Sequence, residues 1–121
     1  MQKTEEFPQK GWVLSAKCPS RAILTHLTNR WGVLVMRVLF TGTKRFSELR
    51  REIEGISERM LAQTLQNLEQ DGMLIRKSFN TVPPHVEYTL TEHGRQASEK
   101  IADLVDWLEG NLGEILANKP K

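Results

Sequence analysis

The chain has 121 residues and a formal net charge of +2, with 39% apolar and 26% charged residues. That length fits one domain of about 100–200 residues, large enough to bury a core without disulfides or metal. No run approaches the roughly 18 apolar residues of a membrane helix, and one cysteine excludes an internal disulfide framework or a Cys-rich zinc site. The stretch MQKTEEFPQKGW lacks an apolar signal core, so a cytoplasmic chain is expected.

Residues 1–17 read as an arm, because Pro8 and Gly11 interrupt regular structure while Trp12, Val13 and Leu14 offer apolar docking groups. After Cys18-Pro19-Ser20, Ile23, Leu24 and Leu27 recur at helical spacing. Proline costs little at such a helix start, where its missing N–H would be unpaired anyway. A second helix is predicted from about Trp31, with Leu34, Val35, Val38 and Leu39 as its apolar stripe and Gly42 closing it. Ser47 is a candidate N-cap for a short helix with Leu49 and Ile53 inward. Gly55 ends that helix, Ser57 caps the next, and Asp71-Gly72 ends it in turn, with Leu61, Leu65 and Leu68 as the buried stripe. Leu74–Phe79 and Val86–Leu90 read as strands about a turn centred on Pro83-Pro84. Thr91 caps a last long helix carrying Ala97, Ile101, Leu104, Val105, Leu108 and Leu112.

Two helices joined by a short glycine-containing turn, with a hairpin directly after, form a winged helix-turn-helix. The fold class expected is mainly α with a small β-hairpin, spanning residues 18–116 between the arm and a short tail at 117–121.

The low net charge hides an asymmetry. Residues 30–51 hold six bases against one acid, residues 52–73 one base against five acids, and residues 91–121 four bases against six acids. A concentrated basic segment points to an anionic partner, with nucleic acid first; a solvated mixed-charge surface is the plain alternative. With the leucines of the fourth helix inward, Arg59, Gln63, Gln66 and Gln70 lie opposite and Met60 and Asn67 flank them. In helix-turn-helix proteins the N-terminal part of this helix reads bases, which here gives Ser57, Arg59, Met60, Gln63 and Thr64. Arginine makes two-point contacts with guanine and glutamine with adenine. Lys44, Arg45, Arg50 and Arg51 precede this recognition helix, where the supporting helix crosses the DNA backbone, and Arg76, Lys77 and His85 flank the wing, where contact with phosphates is expected. Glu58 would repel phosphate and is expected to point away.

Five stretches carry a family likeness: Cys18-Pro19 with Arg30-Trp31-Gly32-Val33-Leu34, Arg45-Phe46-Ser47-Glu48-Leu49-Arg50, Ile56-Ser57-Glu58-Arg59-Met60-Leu61, Leu68-Glu69-Gln70-Asp71-Gly72, and Pro83-Pro84-His85-Val86-Glu87-Tyr88-Thr89-Leu90-Thr91. Together they resemble the HxlR family of bacterial transcription regulators, related to MarR-type winged helices. Asn29-Arg30 departs from the Gly-Lys pair found before the tryptophan in many members. The resemblance implies a homodimer on a palindromic operator, repressing or activating nearby genes, with the first and last helices as its interface. Ile23, Leu27, Ile101, Leu104, Val105, Leu108 and Leu112 are the expected interface residues, and with Trp107 the last helix offers more apolar surface than a small domain needs to bury. Some members sense oxidants, quinones or aldehydes with a cysteine at the position of Cys18. Helix N-termini and cations such as Lys17 and Arg21 favour the reactive thiolate; a small space-filling residue is the plain alternative. Related regulators also hold small-molecule effectors between dimer helices and DNA-binding lobes, but no residue here names a ligand.

Two rival classes stand beside this one. An enzyme is not expected: His26, His85 and His93 are scattered, Cys18 and His26 sit about two turns apart on one helix, and no glycine-rich phosphate loop or cofactor motif is present. A winged helix serving protein interaction without specific DNA binding would lack base-reading groups such as Arg59 and Gln63.

Overall fold

The computed structural model describes residues 10–120. Residues 1–9 of the arm and residue 121 of the tail lie outside the described residues. In chain order the elements are α1 (Ser20–Thr28), α2 (Arg30–Leu39), β1 (Lys44–Arg45), α3 (Phe46–Glu52), α4 (Glu58–Gln70), β2 (Leu74–Phe79), β3 (His85–Leu90) and α5 (Glu92–Ala117).

The predicted stripes meet in one core. Val35, Met36 and Leu39 of α2, Leu49 of α3, Leu61, Leu65 and Leu68 of α4, and Leu74 and Tyr88 of the hairpin are buried together, with Ile53 and Ile56 at the helix-turn-helix corner. Each such side chain contributes about 1.5–3 kcal/mol through removal from water. Sequence periodicity misplaced parts of two outer helices. Leu34 and Leu24 are exposed, and Met36 fills the α2 stripe in place of Leu34.

Two local devices differ from expectation. Asn29, where the family likeness departs, is the N-cap of α2: its Oδ1 accepts from the N–H groups of Trp31 at 3.1 Å and Gly32 at 2.7 Å. Ser47 does not cap α3. The helix begins two residues earlier, Arg45 takes the cap position, and Glu48 reaches back to accept from the Arg45 N–H at 2.7 Å. That bond, with help from the nearby cations, holds the Glu48 carboxyl below the usual range. Ser57 caps α4 as expected, accepting from the Met60 N–H at 3.0 Å, and Thr91 caps α5 by accepting from the Gly94 N–H at 3.0 Å.

The hairpin strands pair antiparallel in the register Leu74↔Leu90 to Phe79↔His85, so the second strand starts one residue before its expected first residue, Val86. Beyond β3 lies β1, a third strand too short to leave a pattern in the sequence, giving the order β1-β3-β2. Its pairing ties the start of α3 to the wing.

The recognition helix ends in a Schellman turn. Gly72 donates to the Glu69 carbonyl at 3.0 Å and Met73 to the Leu68 carbonyl at 2.9 Å, with Gly72 at φ 78°. Only glycine enters that left-handed region without a side-chain penalty.

Candidate nucleic-acid interface

The N-terminal half of α4 presents its outer face to solvent. Ser57, Glu58, Arg59, Met60, Ala62 and Gln63 are exposed there, Met60 by 42%. Thr64 is not among them. It is 5% exposed and points into the core beside Leu61, Leu65 and Leu68, so its expected place in the reading face is corrected. The reason is angular: Thr64 lies three residues after Leu61 and four before Leu68, close to the centre of the inward stripe.

The exposed groups differ in readiness. Arg59 makes no ion pair among the described residues. Gln63 Nε2 donates to Asn67 Oδ1 at 3.1 Å, leaving its carbonyl oxygen and one amide hydrogen uncommitted. The Ser57 oxygen accepts from the Met60 N–H, so its hydroxyl hydrogen remains available as a donor.

Geometry also sorts the basic cluster. Arg50 Nη1 pairs with Glu58 Oε2 at 3.0 Å, and Lys44 Nζ with Glu52 Oε2 at 3.3 Å. Glu58 therefore turns toward Arg50 of α3. Arg45, Arg51, Arg76 and Lys77 have no carboxylate partner within ion-pair distance among the described residues. Exposed pairs of this kind are worth about 0–1 kcal/mol, so a phosphate can displace Glu58 from Arg50 at little cost.

On the wing, alternation puts Arg76 and Lys77 on opposite faces. Arg76 faces α4 across a groove floored by Phe46, Leu65 and Tyr88, and its Nη1 donates to Ser78 Oγ at 3.3 Å. Lys77 lies over the Phe79 ring at 5.3 Å, and that ring stacks on His85 with centroids 4.8 Å apart. His85 Nε2 meets Glu87 Oε2 at 3.0 Å, so this histidine is tied into the wing itself.

Ser47, assigned to capping from the sequence, lines two grooves. One also holds Arg50, Arg51 and Ile56, and the other Arg45, Pro83, Pro84 and His85. It thus sits where the supporting helix and the wing turn converge. A serine between two basic residue pairs was the available signal, but a capping role accounted for it.

The expected interface residues divide as well. Ile101 is 8% exposed and belongs to the core of its own subunit, and Val105 packs against that core. Ile23 and Leu27 are half-buried. Leu104, Trp107, Leu108 and Leu112 are 45–59% exposed, and Ile115 and Leu116 continue the same apolar run toward the helix end.

Cys18 lies half-buried at the entrance of α1. Its Sγ is 3.0 Å from Ser20 Oγ and accepts from the Trp12 N–H at 3.3 Å. These two contacts, Ser20 first, hold the thiol below its ordinary pKa. Arg21 donates to the carbonyls of Val13 and Leu14 at 3.1 and 2.9 Å, so residues 12–18 fold back on the helix start.

The HxlR-like helix-turn-helix family model matches residues 26–115. The chain belongs to that family. The HTH-type transcriptional regulator YtfH of Escherichia coli is 58% identical over 109 residues, covering 90% of this chain and 86% of that protein. Among solved structures, the ytfH regulator of Salmonella typhimurium is 56% identical, with a TM-score of 0.84 over 89% of this chain and 96% of that one. The reduced form of the redox regulator HypR is 34% identical, with a TM-score of 0.73 over 82% of this chain and 98% of that one. This HxlR-like chain is a helix-turn-helix transcriptional regulator. No helix among its described residues is long and apolar enough to cross a membrane.

Proposed function

We propose that the chain acts in the cytoplasm as a homodimer on a palindromic DNA operator, as a regulator and not an enzyme. Ser57, Arg59, Met60 and Gln63 read base edges, while Arg45, Arg50, Arg51, Arg76 and Lys77 hold the backbone together with Lys44 and His85. The observation that carries this reading is the exposed Arg59–Met60–Gln63 face, flanked by Arg51 and the Glu58-paired Arg50 of α3 on one side and the wing on the other. The dimer reading rests on the apolar run from Leu104 to Leu116, exposed on the outer half of α5. Two-fold symmetry then sets the half-sites one helical turn, or a multiple of it, apart.

Titration of the DNA upstream of the gene across a salt series tests this. Affinity should fall steeply with salt, because each neutralised phosphate releases a counterion, and should exceed that for unrelated DNA. A flat or absent response favours a protein-interaction module.

A redox response through Cys18 belongs to the same proposal. The lowered thiol pKa supports it, and HypR, similar in fold, is described as a redox regulator. Modification of Sγ breaks its contacts with Ser20 and Trp12, and a disulfide between subunits is open to a single cysteine per chain. Mobility shifts of wild type and Cys18→Ser with hypochlorite, diamide and a quinone decide it. Identical release by both proteins excludes Cys18 as the sensor.

A further inference from the structure

The C-terminal turn of the recognition helix is gripped from two sides. From α1, His26 Nδ1 lies 2.6 Å from Asp71 Oδ2, with the side chains 29% and 15% exposed. An ionised carboxylate only accepts hydrogen bonds, so Nδ1 donates. From the start of α5, Thr91 Oγ1 donates to the Gly72 carbonyl at 2.6 Å, and the Thr91 N–H to the Met73 carbonyl at 3.0 Å. Gly94 lies so close over Met73 that a Cβ there would stand 1.8 Å from its carbonyl oxygen. The three residues Asp71, Gly72 and Met73 therefore join α4 to both helices assigned to the dimer interface.

We propose that His26 and Asp71 are a positioning pair for DNA reading, fixing the tilt of α4 relative to α1 and coupling the dimer helices to the base-reading face. The proposal rests on the DNA-binding reading given above. Neither side chain lies among the base-reading residues. Arg59 stands twelve residues before Asp71, about 18 Å along the helix. A tilt of about 5° about the gripped turn displaces Arg59 by roughly 1.5 Å, beyond the tolerance of about 0.5 Å within which a recognition group keeps its geometry. The grip from α5 is mostly backbone. The bond from α1 is a single side-chain pair, about two turns along that helix from the Cys18 loop, and so it is the variable joint.

The test is a double-mutant cycle in the full chain. His26→Leu, Asp71→Ala and the double variant are titrated against the operator and against unrelated DNA. Each single change should weaken operator binding about tenfold while binding to unrelated DNA stays within about twofold. The double variant should bind no worse than the weaker single, because one interaction is lost only once. His26→Asn, whose amide nitrogen takes the place of Nδ1 and still donates, should recover most of the affinity. In DNA-free protein, hydrogen exchange across residues 68–73 should quicken in both singles and no further in the double. Singles that bind as wild type, losses that multiply, or an equal fall on unrelated DNA overturn the pair. A wild type without operator preference overturns the DNA reading itself, and positioning with it.

Discussion

Gly94→Ala isolates one methyl group at the junction of α5 and the recognition-helix turn. Its Cβ would lie 1.8 Å from the Met73 carbonyl oxygen and 2.8 Å from the carbonyl carbon, both backbone atoms with no rotamer to yield. Contacts below 3.0 Å are essentially never seen for real Cβ atoms, so the helix start must move by more than 1 Å. That movement stretches three bonds at once: Thr91 N–H to Met73 at 3.0 Å, Thr91 Oγ1 to Gly72 at 2.6 Å, and the cap from Gly94 N–H to Thr91 at 3.0 Å. At about 1 kcal/mol for each bond or cap, the loss is about 3 kcal/mol, a large share of the 5–15 kcal/mol that holds a small domain. The same substitution at Gly110 on the same helix meets nothing within 4 Å and should stabilise by about 0.5–1 kcal/mol through helix propensity. Urea denaturation followed by circular dichroism measures both. The midpoint should fall sharply for Gly94→Ala and rise slightly for Gly110→Ala. A Gly94→Ala midpoint within error of wild type would refute the close approach.

Arg59→Ala should relax sequence preference by about 1–3 kcal/mol at one base position, measured by competition with singly substituted operators. Arg51→Ala should weaken binding to all DNA alike and reduce the salt slope by about one. Ser20→Ala removes the main contact that lowers the Cys18 pKa, so the pH midpoint of iodoacetamide alkylation should move upward; an unchanged midpoint would show that Ser20 does not stabilise the thiolate. Leu108→Glu places a charge in the exposed apolar run of α5 and should convert dimer to monomer in sedimentation while leaving helical content intact.

The order of helices and the wing were legible because their signals are local. Ser57, Thr91 and Gly72 act on partners within a few residues, and the leucines of α4 mark its buried face by their spacing alone. In the strand expected over Val86–Leu90, Tyr88 is buried between the exposed Thr89 and the half-buried Glu87, an alternation that is equally local. Where two local signals competed, periodicity and residue type were not enough. Ser47 is the residue type suited to start α3, but the pairing of β1 with β3 fixes the backbone at Arg45, and the helix starts there instead. Leu34 is as apolar as Met36, but only the crossing of α2 with its neighbours set which one turned inward.

Sequence by itself determined a winged helix-turn-helix with a basic segment before its second helix and an outer face of that helix carrying Arg59 and Gln63. Tertiary structure decided which charges remain free and what holds the reading helix. Glu58 and Glu52 take up Arg50 and Lys44, leaving Arg51, Arg76 and Lys77 without a carboxylate partner among the described residues. His26 and Asp71 are 45 residues apart in the chain and meet only because α1 crosses the end of α4. Spacing carries information over a helical turn or a strand pair; a contact between distant segments depends on how whole elements pack.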